Sequence, residues 1–144
     1  MFFSRPCQHA VRALVHLVLH RTEVRCTVQE IAKAEDLPAP ILAAVLQNLG
    51  RAGLIRSHKG PRGGFILARS ASDITLYHIM EAVDTTRDLF ECAMGFERCA
   101  DQTPCPVHDR LTAVRQDLIA YLQTVTLADM AAVVRQKKLD FLPK

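Results

Sequence analysis

Three cysteines and a histidine, Cys92, Cys99, Cys105 and His108, fall within the short stretch ECAMGFERCADQTPCPVH, spaced C-x6-C-x5-C-x2-H. Glycine, proline and charged residues between them make the stretch a polar loop. Thiolates suit iron–sulfur clusters and zinc. A histidine among three cysteines would change a cluster's net charge and raise its potential. The same donor set also serves structural zinc, although the spacings lack the short C-x2-4-C knuckle of most such sites. From the residues alone, thiols without any metal remain a third reading. A disulfide framework fits poorly. The chain has five cysteines, an odd number, and in a reducing compartment clustered thiols favour metal or redox chemistry. Cys7 and Cys26 read as small buried hydrophobes rather than ligands. His16, His20 and His78 fall in helical patterns, as surface or satisfied core residues.

Such a loop needs elements on either side to hold it. Upstream, CQHAVRALVHLVLH carries Val11, Leu14, Val15 and Val18 at the spacing of a buried helix face. TVQEIAKAEDL opens with Thr27 three residues before Glu30, a capping box that starts a short helix with Ile31 and Ala32 inward. Pro38 and Pro40 mark a turn and a new helix, with Ile41, Val45, Leu46 and Leu49 on its inner side and Gly53 ending it. Two short apolar runs flank KGPRGG and predict a hairpin over LIRSHKGPRGGFILAR. A further capped helix begins near Thr75. Downstream, from Pro106, the residues Val107, Leu111, Val114, Leu118, Tyr121 and Val125 step by 4, 3, 4, 3, 4, a heptad seam. That seam serves either the protein's own core or a second copy of the chain. Thr126 and Asp129 then cap a last helix.

The expected fold is therefore mainly α with a small β-hairpin: a winged helix-turn-helix domain plus a long C-terminal dimerisation helix. The expected division is 1–84 for the winged domain, 85–105 for the cysteine loop and 106–144 for the dimerisation and C-terminal helices.

At 144 residues, 49% apolar and 23% charged, the chain has the composition of one globular domain with a core of its own. No apolar run is long enough to span a bilayer. The start, MFFSRPCQH, lacks the parts of a signal peptide, so the expectation is a cytoplasmic protein without a membrane partner. No nucleophile–base–acid set accompanies the cysteines, and GPRGG lacks the Lys-Ser/Thr pair of a phosphate-gripping loop, so an enzyme is not expected.

The net charge is only +3, but its distribution is uneven. Arg51, Arg56, Lys59, Arg62 and Arg69 fall in or beside the hairpin, where they could hold phosphates. Lys59 and Arg62, with His58, form the wing tip. In a winged helix-turn-helix the helix after DLPAP lies in the major groove. Pro40, Ala43, Ala44, Gln47 and Asn48 are the positions left outward on it, ending at Arg51. Gln and Asn can read an adenine edge, and alanine can lie against a thymine methyl. The expected partner is double-stranded DNA, read by a homodimer at a pseudo-palindromic operator.

AVRALVHL, TVQEIAKAEDLPAPIL, LQNLGRAGLIRSHKGPRGGFILAR and ITLYHIMEAVD follow, in order, the pattern of the IscR/NsrR-type family of winged-helix transcriptional regulators. The resemblance runs from about residue 4 to residue 130 and is most specific in the wing. It implies a dimer built on the long C-terminal helix. In many members it also implies an iron–sulfur cluster on three cysteines, which carry over as Cys92, Cys99 and Cys105. Here a two-iron cluster is expected in preference to a four-iron one. In one branch a histidine three residues past the last cysteine completes the site, and His108 matches it. Other members supply a carboxylate from the partner's N-terminal helix. That position is Gln8 here, an amide and a poor iron ligand, with His9 beside it as the competing fourth donor. Arg62 and Phe65 stand where glycine and tyrosine are commoner. The implied function is operator binding switched by the state of the cluster, in response to redox state, nitric oxide or iron–sulfur supply. The alternatives are a cluster-free regulator of the same fold controlled by a protein partner, or structural zinc in the loop.

Overall fold

The computed structural model describes residues 3–20, 24–83, 86–97, 102 and 105–137. The elements run α1 (Arg5–Leu19), α2 (Val28–Glu35), α3 (Ala39–Arg51), β1 (Ile55–His58), β2 (Gly64–Leu67), α4 (Leu76–Ala82), α5 (His108–Thr124) and α6 (Leu127–Lys137). Single 3-10 turns lie at Ala71–Asp73 and Arg87–Phe90. This is the expected order of a winged helix-turn-helix followed by a long C-terminal helix.

Helix α1 is the centre of the core. Ser4 starts it by accepting the Cys7 N–H at 3.3 Å, with Pro6 in the first turn where its missing donor costs nothing. Leu14 and Val15 are fully buried as the spacing predicts, but Val11 and Val18 are only partly so. The deepest stripe also includes Cys7, Ala10 and Ala13. The reason is that α1 is packed by α2, α3, α4, α6 and β2 together, and small side chains let several elements approach at once.

The capping box of α2 forms as read. The Glu30 N–H donates to the Thr27 hydroxyl at 3.2 Å, and the Thr27 N–H donates to the Glu30 carboxylate at 2.7 Å. At its other end, Glu35 is turned inward against α1. One carboxylate oxygen lies 3.0 Å from His16 Nδ1 and the other 3.5 Å from Arg12 Nε, while the Arg12 guanidinium also donates to the Glu35 carbonyl. The His20 ring stacks on His16 with centroids 3.9 Å apart. A buried carboxylate is tolerated only when paired in this way, so the polar group fixes α2, and with it the helix-turn-helix, to α1.

Helix α3 corrects the sequence reading by one residue. Leu42, Val45, Leu46 and Leu49 are buried, whereas Ile41 is 49% exposed. At 3.6 residues per turn, Leu42 and Leu49 set the centre of the inward stripe, and Ile41 falls about a quarter-turn off it. Gly53, at φ 73°, then ends the helix in a Schellman motif: its N–H donates to the Gly50 carbonyl and that of Leu54 to the Leu49 carbonyl, both at 3.0 Å.

The hairpin pairs Ile55 with Leu67 through His58 with Gly64. The segment before α2 adds a single antiparallel bridge, Cys26 with Phe65. A Cβ on Gly64 would stand 2.8 Å from the Cys26 carbonyl oxygen, so glycine is what lets this third segment close on the wing.

Thr75 caps α4 with a variant box in which His78 takes the usual glutamate's place. The His78 N–H donates to the Thr75 hydroxyl at 3.2 Å, and the Thr75 N–H donates to His78 Nδ1 at 3.1 Å. Helix α5 begins at His108, two residues after the predicted start at Pro106, because Pro106 and Val107 form a turn closed by the His108 N–H on the Cys105 carbonyl at 3.0 Å. Its far end is pinned. The Leu76 N–H donates to the Val125 carbonyl at 2.9 Å, and the Leu127 N–H donates to the Ile74 carbonyl at 2.7 Å. Thr126 and Asp129 form the reciprocal cap of α6, which packs back on α1. Among the described residues no helix is long and apolar enough to cross a membrane.

Candidate nucleic-acid interface and cysteine loop

With its inward stripe filled, α3 presents Pro40, Ala44, Gln47 and Arg51 to solvent and leaves Ala43 and Asn48 half-buried. Arg51 Nη1 donates to the Asn48 side-chain carbonyl at 3.4 Å, which orients the amide so that its NH₂ group faces away from that bond. The Ile41 side chain joins this outward face. The reading of an inward Ile41 missed it, and the signal that finds it is the Leu42–Leu49 phase.

The wing carries its charge at the tip, where Lys59 and Arg62 are exposed and His58 is half-buried. His58 Nε2 is buried without a hydrogen-bond partner among the described residues. The Arg62 backbone is held by a residue the sequence did not flag: Arg25 Nη1 donates to its carbonyl at 3.2 Å. No spacing rule connects Arg25 to the wing, since only the Cys26–Phe65 bridge brings them together. Two of the cluster's arginines have structural work. Arg69 donates to the Gly53 and Ala52 carbonyls, both at 3.3 Å, and Arg56 donates to the Ala68 carbonyl at 3.4 Å. Arg69 thereby satisfies carbonyls just past the end of α3 and joins the recognition helix to the hairpin base. The exposed charges at Arg51, Lys59 and Arg62 are thus carried on one braced unit.

In the cysteine loop, Cys92 is half-buried, while Cys105 and His108 are 6% and 5% exposed. Cys99 lies outside the described residues. The Gly95 N–H donates to the Cys92 carbonyl at 2.9 Å, with Gly95 at φ 73° closing the turn. The Arg115 guanidinium donates to the Glu91 carbonyl, fastening the start of the loop to α5. Cys105 and His108 are together at the head of α5. Among the described residues no three His, Cys, Asp or Glu side chains stand close enough to hold one metal ion, so Cys92 does not form a three-donor group with that pair. Phe90, Met94 and Phe96 are each more than half exposed around it.

At the rival position on α1, the Gln8 side-chain NH₂ donates to the Phe3 carbonyl at 3.2 Å. His9 Nδ1 is buried without a hydrogen-bond partner among the described residues. Burial first, then the Arg12 and Arg5 guanidiniums, hold the His9 imidazole below its ordinary pKa. The neutral ring with a free lone pair is the form a metal binds.

The heptad positions on α5 split into two rows. Val107, Val114 and Tyr121, seven residues apart, are 46%, 62% and 61% exposed. Leu111, Leu118 and Val125 are half-buried, with Leu118 against the chain's own core. Tyr121 and Val125 continue into a groove of about 540 Å³ between α1, α5 and α6, lined also by Val11, Met130 and Val133. Exposed apolar rows of this regularity mark an interaction face.

Residues 3–133 match the family described as Rrf2, iron-dependent transcriptional regulator. A candidate HTH-type transcriptional regulator of Aquifex aeolicus (strain VF5) is 33% identical over 132 residues, covering 90% of this chain and 91% of that protein. The HTH-type transcriptional regulator IscR of Serratia proteamaculans (strain 568) is 28% identical over 123 residues, covering 85% and 74%. Among solved structures, IscR of T. potens superposes with a TM-score of 0.74 at 25% identity, covering 94% of this chain and 90% of that one. CymR, the global cysteine regulator of B. subtilis, superposes at 0.73 with 21% identity, covering 91% and 96%. The CymR likeness speaks to the fold alone.

Proposed function

The chain belongs to the Rrf2 family of transcriptional regulators, and on that premise we propose a homodimer whose grip on a pseudo-palindromic operator is switched by an iron–sulfur cluster on Cys92, Cys99 and Cys105. Family membership makes it a DNA-binding regulator and not an enzyme. We infer the switch, the dimer and the ligands as one scheme. In it, residues 1–84 read DNA, 85–105 hold the cluster and 106–144 pair the chains.

The observation that carries the reading is the double use of α5. Its head holds Cys105 and His108, both buried. Its flank exposes Val114 and Tyr121. Its end is hydrogen-bonded to the start of α4. Any change at the head is therefore passed to the pairing face and to the winged domain by one rigid helix. The donor chemistry fits the cluster: two described thiols and an imidazole are soft or borderline ligands, and the positive end of the α5 dipole favours negative charge beside Cys105. When bound, the cluster supplies a redox couple and an acid- and oxidant-labile bond set. The chain's own contribution is to bury Cys105 and His108 and to fasten, through Arg115 on the Glu91 carbonyl, the end of the loop that carries Cys92.

The test is a preparation made without oxygen, examined by visible absorbance and Mössbauer spectroscopy, with operator binding measured before and after exposure to air. Iron–sulfur signals together with a change in operator affinity are expected. A colourless protein that binds its operator equally well in both states points instead to the cluster-free regulator.

A further inference from the structure

Ile41 is 49% exposed in the first turn of α3, on a helix whose inward stripe of Leu42, Val45, Leu46 and Leu49 is already complete. Helix formation does not ask for it. A β-branched residue is a poorer helix former than leucine or alanine, and one left half exposed gains less from burial than the residues of the inward stripe. Its neighbours on the same side are Ala44, one turn on, and Asn48, two turns on. Ala44 is exposed and Asn48 is oriented by Arg51. The face is thus apolar at its N-terminal end and polar further along, with positive charge at Arg51 and on the wing.

A recognition helix contacts base edges mainly through its N-terminal residues. Of the groups on the major-groove floor, one is an apolar projection, the thymine 5-methyl. We propose that Ile41 is a specificity-determining residue that packs against a thymine 5-methyl in each operator half-site, with Ala44 beside it leaving room for the base. This rests on the DNA-binding reading of α3 and goes beyond it by assigning one side chain to one chemical group of one base.

Deoxyuridine differs from thymidine only by that methyl. The full-length protein, prepared without oxygen, is first used to select its operator from a random-sequence pool. Each thymine of the selected site is then replaced singly by deoxyuridine, and affinities are read by fluorescence anisotropy for the wild type, Ile41→Ala and Ile41→Val. The wild type should lose about fourfold, the factor for one buried methyl, at one thymine per half-site. Ile41→Ala should be indifferent to that replacement, and Ile41→Val should respond in between. A deoxyuridine profile for Ile41→Ala that coincides with the wild type's overturns the assignment. So does a wild type that selects a clear operator yet is indifferent to deoxyuridine at every position. A wild type that selects no sequence over bulk DNA defeats the reading of α3 itself, and the assignment with it. Exposure at residue 41 leaves the fold of both variants intact, and Ile41→Val keeps the side chain's shape as a check.

Discussion

The guanidinium of Arg115, in the second turn of α5, donates to the backbone carbonyl of Glu91, the residue before the first cysteine of the loop. One end of the loop is thereby tied to the same helix that begins just after Cys105 at the other. Both described ends of the loop are therefore set against that helix.

Removing the tie should loosen the loop while leaving the helices in place. In Arg115→Ala, amide hydrogens of residues 90–97 should exchange about tenfold faster, the factor for losing about 1.4 kcal/mol from a charge-assisted hydrogen bond. Amides of α6 should keep their protection. Hydrogen exchange read by mass spectrometry on peptic fragments decides it. Uniform acceleration across α5 and α6 would mean that Arg115 supports the helix instead.

The exposed row of α5 gives a cleaner test of pairing than the half-buried one. Val114 is 62% exposed, so Val114→Glu does not disturb the chain's own packing. At a self-paired seam it would bring two carboxylates together in an apolar interface. Sedimentation velocity should show a monomer with unchanged circular dichroism. Leu118→Glu, against the core, should instead lower thermal stability as well. A Val114→Glu dimer of normal stability would remove α5 from the interface.

Much of this was readable from the residues alone. The boxes at Thr27/Glu30 and Thr126/Asp129 are local, three residues apart, and the chain folded as those pairs required. The glycine-rich wing was readable for the same reason. Two features were not. The Arg12–His16–Glu35 group joins residues 19 and 23 positions apart, and no periodicity links a helix end to the middle of another helix. Ile41 was misplaced because Ile41, Val45 and Leu49 satisfy a four-residue step as well as Leu42, Val45 and Leu49 satisfy the true phase. In the cysteine loop, residue types announced the chemistry, but their arrangement did not follow, because nothing in a polar loop sets a period. Cys99 lies outside the described residues.

Acid should act first on the caps. The Thr27 backbone and hydroxyl bonds hold the Glu30 carboxyl below its ordinary pKa, and the Thr126 hydroxyl and backbone bonds do the same for Asp129. A depressed folded pKa contributes stability that is fully present above the unfolded value. That stability is lost as pH falls through the folded value. The expected window thus opens near the unfolded carboxyl values, about pH 4, and extends below it. Glu30→Gln keeps a side chain that can still accept the Thr27 N–H but cannot titrate. Its urea midpoint should change less than the wild type's as pH is lowered through this window, and at neutral pH it should lie slightly below the wild type's. Parallel pH profiles for the two proteins would show that the cap carries no proton linkage.

The fourth donor of the proposed cluster separates two geometries. If Cys92, Cys99 and Cys105 supply the thiolates, each Cys→Ser variant should fail to retain the cluster, because thiolates provide most of the binding free energy. Cys7→Ser should retain it, since Cys7 is buried in α1 as part of the core. His108 has the advantage of position: it is buried, three residues past Cys105, and is the first residue of α5. His9 has the advantage of state: it is held neutral, with a buried Nδ1 lacking a hydrogen-bond partner among the described residues. If His108 is the ligand, His108→Cys should keep the cluster and lower its potential, because a thiolate adds negative charge where a neutral imidazole stood. His9→Ala should then leave the Mössbauer spectrum unchanged, while His108→Ala alters it. The reverse pattern, with only His9→Ala perturbing the iron, would place the fourth ligand on the partner subunit's α1 and overturn the assignment of His108.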